Sequence, residues 1–218
     1  MQELVTVTGI ILNQAPVGEY DRRVCIFTSE RGKISAFARG ARKPNSRLVA
    51  ATSPFSFGQF RLYEGKNSYN IMDASISNYF EQLRSDYIGA CYGMYFLEIA
   101  DYYTRENNDE REMMKLLYQT LRALVHPSIS NALVRCVYEI KAVAVNGEFP
   151  GIWGERSWDD STVYTVDFIV STAVEKLYTF RVTDKVLGEL QQIGTWCREH
   201  FMGKAFKSLE VLETLGGN

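Results

Sequence analysis

Two changes of pattern predict an α+β chain built in two parts, a five-stranded barrel over residues 1–80 and an all-α region over residues 81–218. Short runs of Val, Ile, Thr, Phe and Tyr with period-two alternation fill the first part, with turn residues between them. From about residue 80 the apolar positions recur every three or four residues. Charge divides at the same place. Ten Lys and Arg stand against six Asp and Glu before residue 81, and fourteen against twenty after it, so the net of −2 conceals +4 followed by −6. Such an asymmetry points phosphate binding to the first part.

Glu3 to Leu12, rich in Val, Ile and Thr, reads as the first strand, with Asn13 to Gly18 and its Pro16 interrupting it. Val24 to Thr28 and Lys33 to Arg39 flank Ser29-Glu30-Arg31-Gly32, a polar segment whose glycine can take the positive φ of a hairpin turn. Phe57 to Tyr63 gives a fourth strand, and Ser68 to Ala74 a fifth after the turn at Glu64-Gly65-Lys66-Asn67. Five short strands with turns between them fit a small barrel of the oligonucleotide/oligosaccharide-binding kind, an OB-fold, and an SH3-like barrel would present a similar pattern.

The helical part begins near Ser85, where Ile88, Cys91, Tyr95, Ile99 and Tyr102 share one face. Asn108 then caps a second helix whose first turn carries Asp109, Glu110 and Glu112, favourable to the dipole, and His126-Pro127 stops it. A third, with Leu133, Val134, Val137 and Ile140, ends at Asn146-Gly147. An irregular loop is expected at about 148–165, followed by a short helix over Asp167 to Tyr178. Thr183 or Asp184 caps the next helix, and Phe206, Leu209 and Leu212 mark a terminal one.

The cationic residues are concentrated in one place. Between Arg22 and Arg47 lie eight basic residues and one acid, Glu30: Arg22, Arg23, Arg31, Lys33, Arg39, Arg42, Lys43 and Arg47. Alternation puts Lys33, Ser35, Phe37 and Arg39 on one face of the third strand, so that an aromatic ring stands between cations. Single strands are commonly held this way, charges following phosphates and a ring stacking on a base; an alternative is that Phe37 packs in the barrel.

Other classes find little support. The sequence has no phosphate loop, no dinucleotide fingerprint, no H-E-x-x-H and no nucleophile elbow. Its two histidines, His126 and His200, sit near predicted helix ends, where an imidazolium serves the dipole. Cys25, Cys91, Cys136 and Cys197 are far apart and read as buried small hydrophobes. Met1-Gln2-Glu3 leads straight into a strand pattern without a basic leader, and no apolar run approaches the roughly 20 residues of a membrane span, so a cytoplasmic, reduced protein is expected.

The order of motifs resembles the RecO family of bacterial DNA repair and recombination proteins. The resemblance rests on Gly18-Glu19-Tyr20-Asp21-Arg22-Arg23 through Thr28, on Arg31-Gly32-Lys33-Ile34-Ser35-Ala36-Phe37-Ala38-Arg39-Gly40-Ala41-Arg42 with Ser46-Arg47-Leu48, on Tyr63-Glu64-Gly65, and on Phe206-Lys207-Ser208-Leu209-Glu210-Val211-Leu212. It implies a nucleoid-associated recombination mediator that binds single- and double-stranded DNA and anneals complementary strands without nucleotide hydrolysis. It further implies work with RecR, and in some lineages RecF, in loading recombinase onto DNA covered by single-strand-binding protein, whose acidic tail it contacts. The DNA-contacting residues it implies are Lys33, Arg39, Arg42, Lys43 and Arg47, then Arg22, Arg23 and Arg31.

One departure is plain. Many members carry two pairs of cysteines forming a zinc site after the segment that here reads Asn146-Gly147-Glu148-Phe149-Pro150, but no cysteine falls between Cys136 and Cys197. A tetrahedral thiolate site cannot be assembled from these, so no zinc is expected; Trp153 and Trp158 either staple the loop in its place or are loop tryptophans in partial contact with the core. The competing functional reading is an adaptor of the repair machinery, with a structural barrel that does not itself bind DNA.

Overall fold

The computed structural model describes residues 3–66, 68–152 and 158–215. Five strands close a barrel in the order β1-β2-β3-β5-β4, from β1 (Glu3–Val17), β2 (Asp21–Thr28), β3 (Gly32–Ala38), β4 (Phe57–Glu64) and β5 (Tyr69–Asn78). All neighbours are antiparallel except β3 and β5, which run parallel through Ala36↔Tyr69 and Phe37↔Asn70. Inward side chains fill the barrel: Val7, Ile11, Val24, Ile26, Ile34, Phe60, Leu62 and Ile71 are buried together with Ala36 and Ala38. The five-stranded OB-like barrel expected from the alternation is the one present.

The first strand differs from its expected end at Leu12. β1 serves two neighbours in turn, its residues Glu3–Ile10 pairing with β4 and Gly9–Val17 with β2, past an irregularity between Ile11 and Asn13. Pro16 lies opposite Arg22 in the part that pairs with β2 alone, where a missing N–H breaks no ladder on the open side. A short helix, α1 (Leu48–Ala51), stands between β3 and β4 and was not foreseen, because four residues offer no period to read.

The chain divides into two compact units, Met1–Arg84 with Ala100–Met114, and Ser85–Ile99 with Lys115–Asn218. In the first, the barrel is joined by α2 (Glu81–Ser85), the end of α3 (Tyr87–Tyr103) and the start of α4 (Arg111–Leu124). Gly32 marks where this extra segment meets the hairpin. Its φ is +64°, and a Cβ there would collide with the carbonyl oxygen of Arg105, which accepts from the Lys33 N–H at 3.1 Å. Asn107 N–H in turn donates to the Arg31 carbonyl at 2.9 Å.

The second unit holds most of α3 and α4, then α5 (Asn131–Val145), α6 (Asp160–Ser171), α7 (Asp184–Phe201) and α8 (Lys207–Thr214). Ser130 and Thr183 cap α5 and α7 through Leu133 N–H and Val186 N–H, and Gly147 takes a φ of +73° just past α5. The core is aromatic: Tyr95, Phe96, Tyr138 and Phe206 touch ring to ring. At its centre Glu139, 1 % exposed, accepts from Tyr95 Oη at 2.6 Å, Arg135 Nε at 3.0 Å and Arg198 Nη1 at 3.1 Å.

The loop expected to reach residue 165 is shorter, since α6 begins at Asp160, and the helix expected over Asp167 to Tyr178 stops at Ser171 and is followed by a single 3-10 turn, Val174–Lys176. Thr162, Thr165 and Val166 face inward, and their β-branched chemistry masked the helical period. Trp153 lies outside the described residues, so its pairing with the half-buried Trp158 does too.

Asp159 caps α6 through the Ser161 N–H at 2.9 Å and pairs with Lys185 Nζ at 2.7 Å. These contacts, the lysine first, hold its carboxyl down to about 2. A folded value below the ordinary ~3.9 means that the charge contributes stability above about pH 4, and that the contribution is lost as pH falls toward 2. Asp159→Asn, which can still cap, is expected to be less stable than the parent at pH 5 and to converge on it near pH 2, as read from urea midpoints.

Candidate nucleic-acid interface

The β2–β3 hairpin presents an outer face with two different halves. On β3, Lys33, Ser35 and Phe37 are half-buried on that face, while Ile34, Ala36 and Ala38 point inward. Near the hairpin turn the face is covered by the segment that includes Asp101 and Arg105. Lys33 Nζ reaches the Asp101 carboxylate at 3.1 Å and its carbonyl oxygen at 2.5 Å, and Cys25, opposite Ser35, lies beside the same carboxylate. Arg31 is engaged as well, with Glu64 at 2.9 Å and the Tyr69 hydroxyl at 3.1 Å.

Toward the other end the face is open. Arg23 lies opposite Phe37 in the β2–β3 register, is exposed, and donates from Nε to Ser35 Oγ at 2.9 Å, a neutral partner that leaves its charge uncancelled. Arg39 follows at the end of β3, exposed and, among the described residues, without an ion pair. Phe37 therefore stands on the outside of the barrel with Arg23 beside it and Asn70 of β5 across from it.

The basic loop is a built structure. Asp21 Oδ1 accepts from Gly40 N–H at 2.7 Å, Tyr20 O from Arg42 N–H at 2.8 Å and Gly18 O from Arg42 Nη1 at 3.2 Å, so the loop is pinned to the β1–β2 turn. Gly40, with φ +64°, makes the bend this requires. Lys43 Nζ lies 5.6 Å from the centre of the Tyr20 ring, which is 43 % exposed. Arg42, Lys43 and Arg47 are exposed and form no ion pair among the described residues.

Arg22 takes a different role. Its Nη1 donates to the Val49 carbonyl at 2.7 Å and to Thr52 Oγ1 at 2.9 Å, tying β2 to α1, and burial followed by the nearby charge of Arg42 lowers its pKa. The nine residues singled out from the sequence thus separate. Arg23, Phe37, Arg39, Arg42, Lys43 and Arg47 lie on the open face and its loop, whereas Arg31 and Lys33 are ion-paired and Arg22 is structural. Tyr20 was missed, because a turn tyrosine has no periodic pattern to mark it; only its nearness in sequence to Arg22 was a signal.

Cys136 and Cys197 are buried as expected of small hydrophobes, whereas Cys25 and Cys91, expected to be buried too, are half-buried. Burial, with the Glu139 charge second, pushes the Cys136 and Cys197 thiols up to about 12, and Cys25 reaches about 12 through burial and Asp101. No cysteine stands in the α5–α6 connection, where many members of the family it resembles carry theirs. His200 Nδ1 lies 2.9 Å from Trp196 O in the last turn of α7, with its ring stacked on Trp196, an arrangement of packing.

A closed OB-like barrel, part of whose outer face and loop carries cations without an ion pair among the described residues, followed by a helical region, defines a barrel-plus-helix class of protein. Within it the family is shown. Residues 1–80 match the model described as "Recombination protein O N terminal" and residues 84–151 the one described as "Recombination protein O C terminal". A DNA repair protein RecO of Acetivibrio thermocellus is 25 % identical over 95 % of this chain and 96 % of its own length. One from Clostridium perfringens is 23 % identical over 96 % and 98 %, and one from Alkaliphilus metalliredigens 31 % identical over 67 % and 60 %. The chain belongs to the RecO family, whose role is in DNA repair and recombination. Among the described residues no helix is long and apolar enough to cross a membrane.

Proposed function

We propose that this chain is a cytoplasmic recombination mediator that binds single- and double-stranded DNA through its barrel, anneals complementary strands without nucleotide hydrolysis, and helps load recombinase onto strands covered by single-strand-binding protein. Its partners on this reading are RecR, RecF in some lineages, and the acidic tail of the single-strand-binding protein. The observation that carries it is the group of uncancelled cations, Arg23, Arg39, Arg42, Lys43 and Arg47, gathered on the open hairpin face and one ordered loop. Annealing requires two phosphate backbones to approach each other, and a surface that neutralises backbone without filling Watson–Crick edges lowers that repulsion. Phe37 and Tyr20 add faces on which a base can stack.

The reading is metal-free, because the donor set for a thiolate site is missing; element analysis of purified protein is expected to give far less than one zinc per chain. The direct test of function is annealing of complementary oligonucleotides by the purified full chain with no nucleotide present. Acceleration over the spontaneous rate is expected. A chain that binds RecR but neither binds nor anneals DNA would instead be an adaptor, with the barrel as scaffold.

A further inference from the structure

The barrel has a second cationic recess, away from the outer face of the β2–β3 hairpin. Leu4, Arg47, Leu48, Arg61, Tyr63, Met72 and Asp73 line a cleft of about 390 Å³ on the outside of β1, β4 and β5 beside α1. Its floor is apolar for a structural reason. Leu4 lies opposite Tyr63 in the β1–β4 register, and Arg61 opposite Asp73 in the β4–β5 register. Between Arg61↔Asp73 and Leu62↔Ile71 the β5 register slips by one residue, and the extra residue is Met72. The bulge turns that side chain outward to 53 % exposure, next to a Leu4 that is 46 % exposed.

Exposed leucine and methionine gathered on one patch are unfavourable in water unless something covers them. Arg47 and Arg61 flank the patch and are exposed, and their side chains form neither an ion pair nor a hydrogen bond among the described residues. The Arg61 guanidinium stays outside ion-pair range of Asp73 even though the two residues face each other across the strands. Two free guanidiniums beside an apolar and aromatic floor match a nucleotide: phosphate to the arginines, the base face on Tyr63 and Met72. Asp73 repels phosphate from its own side and leaves an acceptor for a base edge. A volume of this size lies at the lower end of the roughly 300–1,000 Å³ typical of small-molecule pockets, adequate for one nucleotide unit.

We infer that this cleft is a second single-strand subsite, which takes a base of the strand after it has crossed the basic loop. Continuity selects this occupant over a peptide. Arg47 closes the loop that begins at Arg39 and also lines the cleft, so one chain segment carries both surfaces. A strand lying on Arg39, Arg42 and Lys43 is led by Arg47 toward Met72 and Arg61. The inference rests on the reading of the loop as a DNA surface, and it extends the path around the barrel.

The test uses the full chain and oligo(dT) of about 6 and about 16 nucleotides, lengths toward the two ends of the roughly 4–16 nucleotides that an OB-fold covers. Arg61→Ala and Met72→Asp alter exposed side chains, and thermal melting checks that both fold. The longer oligomer is expected to bind Arg61→Ala about tenfold more weakly, as for loss of one charge-assisted phosphate contact, with a salt slope shallower by roughly 0.7. The 6-mer, which the loop alone accommodates, should lose less. Oligomers bearing 5-iodouracil should crosslink on irradiation to the peptide containing Tyr63 or Met72. If the 16-mer binds both variants like the parent, while loop substitutions still weaken it, the cleft is off the path and the inference fails. If the parent binds no oligomer, the underlying reading fails instead. An Asp-rich peptide with an apolar end, whose binding Arg61→Ala abolishes while the oligomers are unaffected, would assign the cleft to a protein partner and overturn the inference.

Discussion

Replacing Glu139 by alanine is expected to destabilise the helical unit by about 3–5 kcal/mol, the range for breaking a buried ion pair by removing one partner. Glu139 is 1 % exposed, while the Arg135 and Arg198 side chains are 13 % and 14 % exposed, and both guanidiniums converge on the same oxygen, Oε1. Alanine leaves two poorly solvated cations facing each other and removes the acceptor for the Tyr95 hydroxyl. The packing offers little relief, because the other carboxylate oxygen lies 2.5 Å from where a Cβ on Gly194 would stand, so α5 and α7 fit closely around the acid. The measurement is urea unfolding of parent and variant. Glu139→Gln retains an acceptor but no charge, and should recover only part of the loss. Replacing all three members together, with Glu139→Leu, Arg135→Met and Arg198→Met, should recover most of it, since the cost arises from uncompensated charge. If the triple variant were as unstable as Glu139→Ala, packing and not electrostatics would set the effect.

The legible parts of this fold are those where pattern and environment agree. β3 alternates strictly between buried and half-buried residues because one face meets the barrel core and the other the outside, so its sequence period is its structural period. The cap at Thr183 and the stop at Asn146-Gly147 were readable for a similar reason: a side chain or a φ satisfies a helix end locally. What failed depended on distant partners. Pro16 stays in a strand because β1 has one neighbour there, and α6 starts at Asp160 because its Thr and Val residues meet other helices. The site divided along the same line. Density of charge located the loop, but alternation gave Lys33 and Arg39 the same face, and only the chain more than sixty residues further on separates them by covering one with Asp101. The Met72 bulge had no sequence mark at all.

That separation governs the last expected result. Changing Arg39, Arg42 and Lys43 together to alanine should weaken single-strand binding on the order of a hundredfold near 0.1 M salt, and should flatten the plot of log affinity against log salt by about two units. The slope follows from roughly 0.7 released counterions per phosphate neutralised, taken three times. The fold should tolerate the change. All three side chains are exposed, and the loop is held by the Gly40 and Arg42 backbone N–H groups, which alanine keeps; the side-chain losses are one bond from Arg42 to Gly18 O and the cation–π contact of Lys43 with Tyr20. Arg31→Ala and Lys33→Ala are the controls. Their charges face Glu64 and Asp101, so removing either should leave the slope nearly unchanged and cost at most about 1 kcal/mol of stability, as for partly exposed pairs. A basic surface acting only through total charge would respond equally to any cation removed. If all five substitutions acted alike per charge, the ordered loop would hold no privileged position and attraction would be diffuse. If only the loop residues moved the slope, phosphate would contact the cations that lack a protein counterion, and the pairing seen in the barrel would decide which residues do the binding.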